Sequence, residues 1–288
     1  MQSGDSMSET LKLTPEELRE LQLCELDGLV FFDEFCRRNG LTYYLCGGCL
    51  IGALRNKGFI PWDDDADVLM PRPDYERFLE LYRQENPSER YVLVDDSDIE
   101  SYSGNIFAVI SDTDHTLIKE YQKDLQMPHG LPLDIFPIDG LAEGKAARYI
   151  QYFWTMVYSL FRSQIVPKNQ GRLLSFGSKT LLSIFRSHKT RYKIWRYAEK
   201  RMTRYDFYES SNVAELCAGF YFMKKVYPRH IYEDGTTELE FEGRNFLAMK
   251  NYDEYLKIPF GNYMELPPEE KRIPHHDIIE LKLHKPCR

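Results

Sequence analysis

Asp63-Asp64-Asp65-Ala66-Asp67 is the stretch where residue type and spacing most directly imply chemistry. On an extended strand alternate side chains share a face, so Asp63, Asp65 and Asp67 are expected to point together while Asp64 points away. Two ionised carboxylates about 4 Å apart repel by roughly 4 kcal/mol at an effective dielectric near 20. Three on one face among apolar neighbours therefore call for a cation. Oxygen-only ligands suit a hard divalent ion, Mg²⁺ first and Mn²⁺ next, of the kind that bridges to phosphates. The plain alternative is an acidic loop facing solvent. Gly47-Gly48, between an expected strand and an expected helix, argues against it, because such glycines let backbone N–H groups approach a phosphate. A further acid, Asp134, sits inside the apolar run Leu133-Asp134-Ile135-Phe136, where an unpartnered carboxylate would be costly.

A Gly-Gly at a strand end, an Asp-x-Asp on the next strand and a third carboxylate on a neighbour together resemble the nucleotidyltransferase superfold. The spacing from Gly48 to Asp65 is longer than usual there. The whole run from Gly47 to Asp67, GGCLIGALRNKGFIPWDDDAD, is similar to the signature of the LicD family, phosphocholine transferases related to fukutin and the fukutin-related protein. Further matches are Asp74-Tyr75-Glu76-Arg77-Phe78 and Leu133 to Gly140. Later ones are Phe241-Glu242-Gly243, Tyr252 to Leu256 and Gly261 to Met264, so the resemblance extends from about Leu18 to His276. It departs at Cys49, where Thr or Ser is common, and at Asn56, where His is common.

The resemblance implies metal-dependent transfer of phosphocholine from CDP-choline to a sugar hydroxyl of a surface glycan, lipopolysaccharide or teichoic acid, or its precursor, with release of CMP. It equally admits ribitol phosphate or glycerol phosphate as the head group. A nucleotide-sugar glycosyltransferase and a nucleotidyl transferase are the rival classes, and no nucleic-acid partner is implied. Asp65, Asp67 and Asp134 are the expected catalytic residues, with Asp63 added as a metal ligand and Asp134 as an alternative base. Gly47, Gly48, Arg55 and Lys57 are expected at the donor phosphates. A trimethylammonium group offers no hydrogen-bond donor and is held by aromatic faces. Trp62 is the first choice for it, with Tyr263, Tyr121 and Tyr221 behind, and Glu242, His275 and His276 are further pocket candidates.

The elements that would position these residues follow from periodicity. Thr14-Pro15-Glu16-Glu17 is a capping box, and the helix it opens should end near Asn39-Gly40. Strands are expected at 41–46, around 68–70, and at 91–94, 105–110, 131–136 and 239–246. Short helices are expected at 50–55, 73–84 and 251–256, and a polar tail closes the chain. Residues 146–205 read as two or three helices, broken at Pro167 to Gly171 and near Ser187. The expected fold is α/β (α+β), a nucleotidyltransferase-like mixed sheet with added helices. The chain divides into a flexible or tag-like stretch (1–13), a catalytic core (14–144), a basic helical block (145–210) and a C-terminal segment that completes the site (211–288).

With 288 residues, 43% hydrophobic and 28% charged, the chain is long enough for a large core and too apolar for disorder. The net charge of −8 is unevenly placed. Between Lys145 and Tyr205 fourteen basic residues face the single acid Glu199, a net +13 that leaves −21 elsewhere. Such a block suits an anionic partner, including peripheral contact with an anionic membrane, or else a solvated helix face. The uncharged run 149–161 is too short to span roughly 30 Å of hydrocarbon, and no secretory signal is visible. Six cysteines in a chain this long predict no disulfide framework. Cys46 and Cys49 form a CxxC that would be half a zinc site or a redox pair, but no second CxxC or CxxH accompanies it. The expected location is a reducing cytoplasm, with the inner membrane face as a docking place.

Overall fold

Thr14 opens the first helix as the capping box predicts. Its hydroxyl accepts from the Glu17 N–H and the Glu17 carboxylate accepts from the Thr14 N–H. This helix, α1 (Pro15–Asn39), ends on Gly40 in the left-handed conformation at φ 62°. The computed structural model describes residues 10–166, 171–274, 276–285 and 287, so residues 1–9 of the expected flexible stretch lie outside the described residues. Leu21, Leu29, Phe32 and Phe35 recur at helical spacing and are buried against the sheet. Each contributes about 1.5–3 kcal/mol by leaving water.

The chain continues through β1 (Tyr44–Leu45), α2 (Gly47–Arg55), β2 (Ala66–Pro71), α3 (Arg72–Glu85), β3 (Tyr91–Val94), β4 (Ala108–Asp112), β5 (Thr116–Lys119) and β6 (Leu131–Gly140). Then come the helices α4 (Lys145–Ser163), α5 (Arg172–Ile184) and α6 (His188–Met202). The last part holds β7 (Asn212–Ala214), α7 (Gly219–Met223), β8 (Tyr227–Pro228), α8 (His230–Glu233), β9 (Thr236–Phe241), β10 (Arg244–Met249), α9 (Tyr252–Phe260) and β11 (Ile278–Lys282). The main sheet has the order β1-β2-β6-β4-β3, with β2 and β6 parallel and the other neighbours antiparallel. The class is therefore mixed α and β, as expected. β2 and β6 are central and mostly buried on both faces, which is why they read as apolar runs interrupted by single acids.

Several local expectations change. The strand at 41–46 contracts to Tyr44–Leu45, because α2 begins at Gly47 itself, where φ is +47°. The expected single strand at 239–246 is the hairpin β9–β10, turned at Glu242 and Gly243 with φ 52° and 74°. Two left-handed residues make a turn whose twist matches the strands, and Glu in the first position hides it from a sequence reading. The polar tail carries a strand: β11 pairs antiparallel with β5, which the sequence did not signal. That pairing lays the C-terminus along α1, and Cys24 is joined to Cys287 by a disulfide. No bridge was expected; partners 263 residues apart in sequence give no local cue. Cys36, Cys46, Cys49 and Cys217 are free and buried.

The helical block has its own apolar cluster, built by Tyr158, Phe161, Trp195, Ala198 and Met202 together with Leu141 and Leu216. Its break at 167–170 lies outside the described residues. Part of the +13 is structural. Arg162 is buried and donates to the carbonyls of Asp95, Ile106 and Phe107, and Arg191 donates to those of Leu182 and Phe185. Lys179, Arg186, Lys189, Lys193, Arg196, Lys200 and Arg204 remain exposed. Among the described residues no helix is long and apolar enough to cross a membrane.

Candidate active site

The site forms where β2 and β6 begin. Asp67 and Asp134 are direct partners in the parallel register, so their carboxylates project from adjacent strands on one face. Asp63, Asp64 and Asp65 do not belong to the strand; they form the loop that enters it. Alternation consequently fails for Asp64, which is buried and faces inward. Its Oδ2 accepts from the His276 N–H at 3.1 Å, and its Oδ1 lies 3.1 Å from His276 Nδ1. His276 Nε2 is 3.8 Å from Asp65 Oδ2.

The N-terminus of α2 closes the other side. Cys46, the residue before it, provides no side-chain cap, so the first N–H groups of the helix keep their pull on negative charge. Gly48 is required by packing, since a Cβ there would stand 2.0 Å from Asp63 Oδ2. The Asp67 N–H donates to Cys49 Sγ at 3.5 Å. Cys46 and Cys49 thus sit beneath the site, their thiols pushed up first by burial and then by Asp67. Neither shares a metal-capable cluster among the described residues, and a raised thiol is a poor zinc ligand.

Burial raises Asp67 well above the usual carboxylate range, with Asp65 and Asp134 adding to it. Burial, then Asp65 and Asp64, brings Asp63 up to about 8. Asp65 is raised by burial, against the pull of His276. Asp63 Oδ2 and Asp67 Oδ1 are buried without a hydrogen-bond partner. Unpaired buried carboxylate oxygens, one from the loop and one from β2, are the kind of donor a divalent cation satisfies. The residues fit the group. Among the described residues the acid group whose ligand atoms lie within 4.8 Å of one another is Asp64, Asp65 and His276; Asp63, Asp67 and Asp134 do not share it.

Two residues of this site carry no sequence motif. Glu25 of α1 is buried, both its oxygens lack partners, and burial with Asp65, Asp64 and Asp63 raises it strongly. A signal existed, because Glu25 stands between Leu21 and Leu29 on the apolar face of the helix. Lys119, at the end of β5, places its ammonium 4.0 Å from Asp134 Oδ2. Burial opposes its charge, but Asp134 and, further off, Asp65 and Asp67 outweigh that and hold the ammonium protonated. Lys119 pairs with Ile278 in the β5–β11 ladder, so one strand pair delivers both Lys119 and His276. Gln22 of α1 fixes the loop by donating to the carbonyls of Ile60 (3.1 Å) and Asp63 (2.9 Å).

The remaining expected residues are more scattered. Arg55 closes α2, and its Nε is buried without a partner. Burial depresses its pKa, Asp63 acts in the opposite sense and the Arg272 charge adds to the depression. Trp62 is half-buried between these two cations, with Arg55 Cζ 6.0 Å and Arg272 Cζ 5.7 Å from its ring. Lys57 is exposed in a left-handed conformation. Glu242 is a clamp: it pairs with Arg19 at 2.6 Å and accepts from the Phe59 N–H at 3.1 Å. Tyr263 donates to Asp253 and offers its carbonyl to Arg55. Tyr121, 41% exposed, lies next to the Lys119–Asp134 pair, whereas Tyr221 is on α7 and donates to the Pro259 carbonyl. His275 lies outside the described residues.

The family model for the LicD/FKTN/FKRP nucleotidyltransferase domain matches residues 40–137, the span that holds α2, the acid loop, β2 and Asp134. The chain is also 33% identical over 268 residues to the lipopolysaccharide cholinephosphotransferase LicD of Haemophilus influenzae (strain ATCC 51907 / DSM 11121 / KW20 / Rd), covering 90% of this chain and 96% of that protein. This chain belongs to the LicD family. The match to the relative runs far beyond the family-model span. Within this LicD-family chain, therefore, the helical block falls inside the shared protein and is not an appendage.

Proposed function

We propose that the chain is a phosphotransferase that moves phosphocholine from CDP-choline to a sugar hydroxyl of a lipopolysaccharide-type glycan or its precursor, releasing CMP. The observation that carries this reading is the pair of unpartnered buried oxygens on Asp63 and Asp67, with Asp134 beside Asp67 in the strand register and the uncapped N-terminus of α2 next to them. The relative named as a lipopolysaccharide cholinephosphotransferase supports the head group and the acceptor class. Asp65, Asp67, Asp63 and Asp134 would hold Mg²⁺, with Mn²⁺ a working substitute. When bound, the ion would neutralise the donor diphosphate and the departing CMP.

The protein's own residues supply the rest. The acceptor oxygen forms a bond to the phosphorus that carries choline, the bond from that phosphorus to CMP breaks, and the hydroxyl proton passes to a carboxylate of the cluster. Lys119 and His276 add positive charge at the same place. In His276 burial is outweighed by its hydrogen bond with Asp64 and by Asp65, so its pKa is raised. Arg55 and Arg272 are proposed for the donor diphosphate, with Gly47, Gly48 and the α2 N-terminus beneath it. Because the two guanidinium groups flank Trp62, we assign the choline face to Tyr121, an aromatic contact worth roughly 0.5–2 kcal/mol. We place the reaction at the cytoplasmic face of a membrane, where exposed cations of α5 and α6 approach anionic lipid.

The test is turnover of CDP-choline with a lipopolysaccharide acceptor, with Mg²⁺ and with EDTA. Asp65→Asn and Asp67→Asn should each lose at least about a hundredfold, as should the chelated wild type. Turnover that survives both substitutions, or chelation, would sink the metal reading.

A further inference from the structure

In the helical block, α4, α5 and α7 enclose a cavity of about 530 Å³. Its walls include Phe153, Met156 and Leu160 of α4, Leu181 of α5, and Phe220 and Met223 of α7. Among the described residues, no polar side chain lines it apart from three serines, and no charged one does. Its size lies within the roughly 300–1,000 Å³ of small-molecule sites. The surface around it is apolar as well. Tyr149, Phe153 and Met156 form an exposed stripe at helical spacing along α4, and Phe176 (71% exposed) and Ile184 (65%) project from α5. Exposed apolar area of this kind, adjoining a cavity, marks a binding surface.

Cations stand at the rim. Lys224 follows Met223 and holds its ammonium 3.6 Å from the centroid of Phe220, a wall residue. Lys225 does the same over Tyr221 at 4.3 Å. Lys179 is exposed on α5 directly after Ser178, another wall residue. Among the described residues neither Lys224 nor Lys179 has a carboxylate within ion-pair distance. An apolar cavity with a cationic edge complements one kind of ligand, a hydrocarbon chain that ends in phosphate. The cavity also lies near the acids. Ile106, on its wall, is two residues from Ala108, which pairs with Ile135 beside Asp134. Strand geometry keeps Ile106 within about 15 Å of Asp134.

We propose that the α4–α5–α7 cavity takes an acyl or isoprenyl chain of an anionic lipid, with the lipid phosphate at Lys224 and Lys179. In assigning that lipid as the anchor of the acceptor glycan, the proposal rests on the glycan-acceptor reading above; the lipid site itself does not. The cavity would then hold the acceptor by its lipid while the glycan reaches the carboxylates.

The probes are vesicles of phosphatidylcholine with and without 30% phosphatidylglycerol (about one lipid in three), and lauroyl-lysophosphatidylglycerol below its micelle concentration. Met156→Glu/Leu181→Glu places charge on wall residues that are 38% and 41% exposed, so folding should survive, as the thermal midpoint will verify. The wild type should co-sediment with the anionic vesicles and bind the lysolipid, and the double variant should do both at least about tenfold more weakly. Lys224→Ala should cost about fivefold on anionic vesicles and nothing on phosphatidylcholine. The ratio of turnover on lipid-bearing glycan to turnover on deacylated glycan should fall in the double variant. Unchanged vesicle and lysolipid binding in the folded double variant overturns the proposal, as does equal binding to both vesicle types. A dimer that the double variant dissolves, with vesicle binding intact, would make the cavity a self-association surface and overturn it too. If no glycan accepts phosphocholine but lipid binding behaves as described, the lipid site stands and the acceptor reading falls.

Discussion

Asp67 and Asp134 show how much a single position can carry. Each interrupts an apolar strand, and the parallel register of β2 with β6 sets them side by side. The sequence singles out Asp67 as part of the acid cluster at 63–67, and Asp134 because an acid in an apolar strand is costly without a partner. Sequence reasoning misses Lys119, which lies in a four-residue strand that the sequence did not signal, and Asp64, which strand alternation pointed away from the other acids. Glu215 offers a separate residue-scale prediction, independent of the metal. It is buried, and burial raises it to about 7 from 4.5, against the opposing pull of the nearby Tyr255 and Tyr227 hydroxyls. A carboxyl whose folded pKa is raised stabilises the fold fully below its unfolded pKa. That contribution is lost as pH rises from about 4.5 through about 7. Stability should therefore fall across that window by up to roughly 3 kcal/mol. Glu215→Gln should flatten the decline in urea titrations run at several pH values, and an unchanged slope would refute the assignment.

Elements decide whether those residues meet. The capping box of α1, the helix after Gly47-Gly48 and the helices of the basic block were legible because their signals are local. The β5–β11 ladder was not, since it joins residues more than 150 positions apart, and with it went the placement of His276. The Glu242-Gly243 hairpin was read as one strand because its first turn residue is not a turn former. Two changes probe the packing of elements. Gly48→Ala would drive a methyl group into Asp63, and turnover should drop at least about tenfold with the fold intact, by circular dichroism and activity together. Arg72 and Asp139 form a bidentate pair at 2.6 and 2.9 Å, tying the start of α3 to the end of β6. Arg72→Ala leaves Asp139 buried without its counter-charge and should cost about 3–5 kcal/mol in denaturant unfolding. The pair exchanged for Met and Leu should be close to neutral.

At the scale of the whole molecule, charge is sorted by position. Acids gather at one end of two parallel strands, where they need a cation, and exposed bases gather on helices beside an apolar cavity. The net charge of −8 conceals both. The distribution was visible in the sequence, but its division into structural and surface cations was not, because Arg162 and Arg191 turn inward to backbone carbonyls. On the proposed function, the carboxylate cluster directs a head-group phosphate, and not the nucleotide, to a sugar. Mass spectrometry of the acceptor glycan after incubation with CDP-choline and Mg²⁺ tests it most directly. The glycan should gain phosphocholine, with free CMP in equal amount; a glycan that gains CMP, or one left unmodified while the folded enzyme consumes the donor, would overturn the assignment.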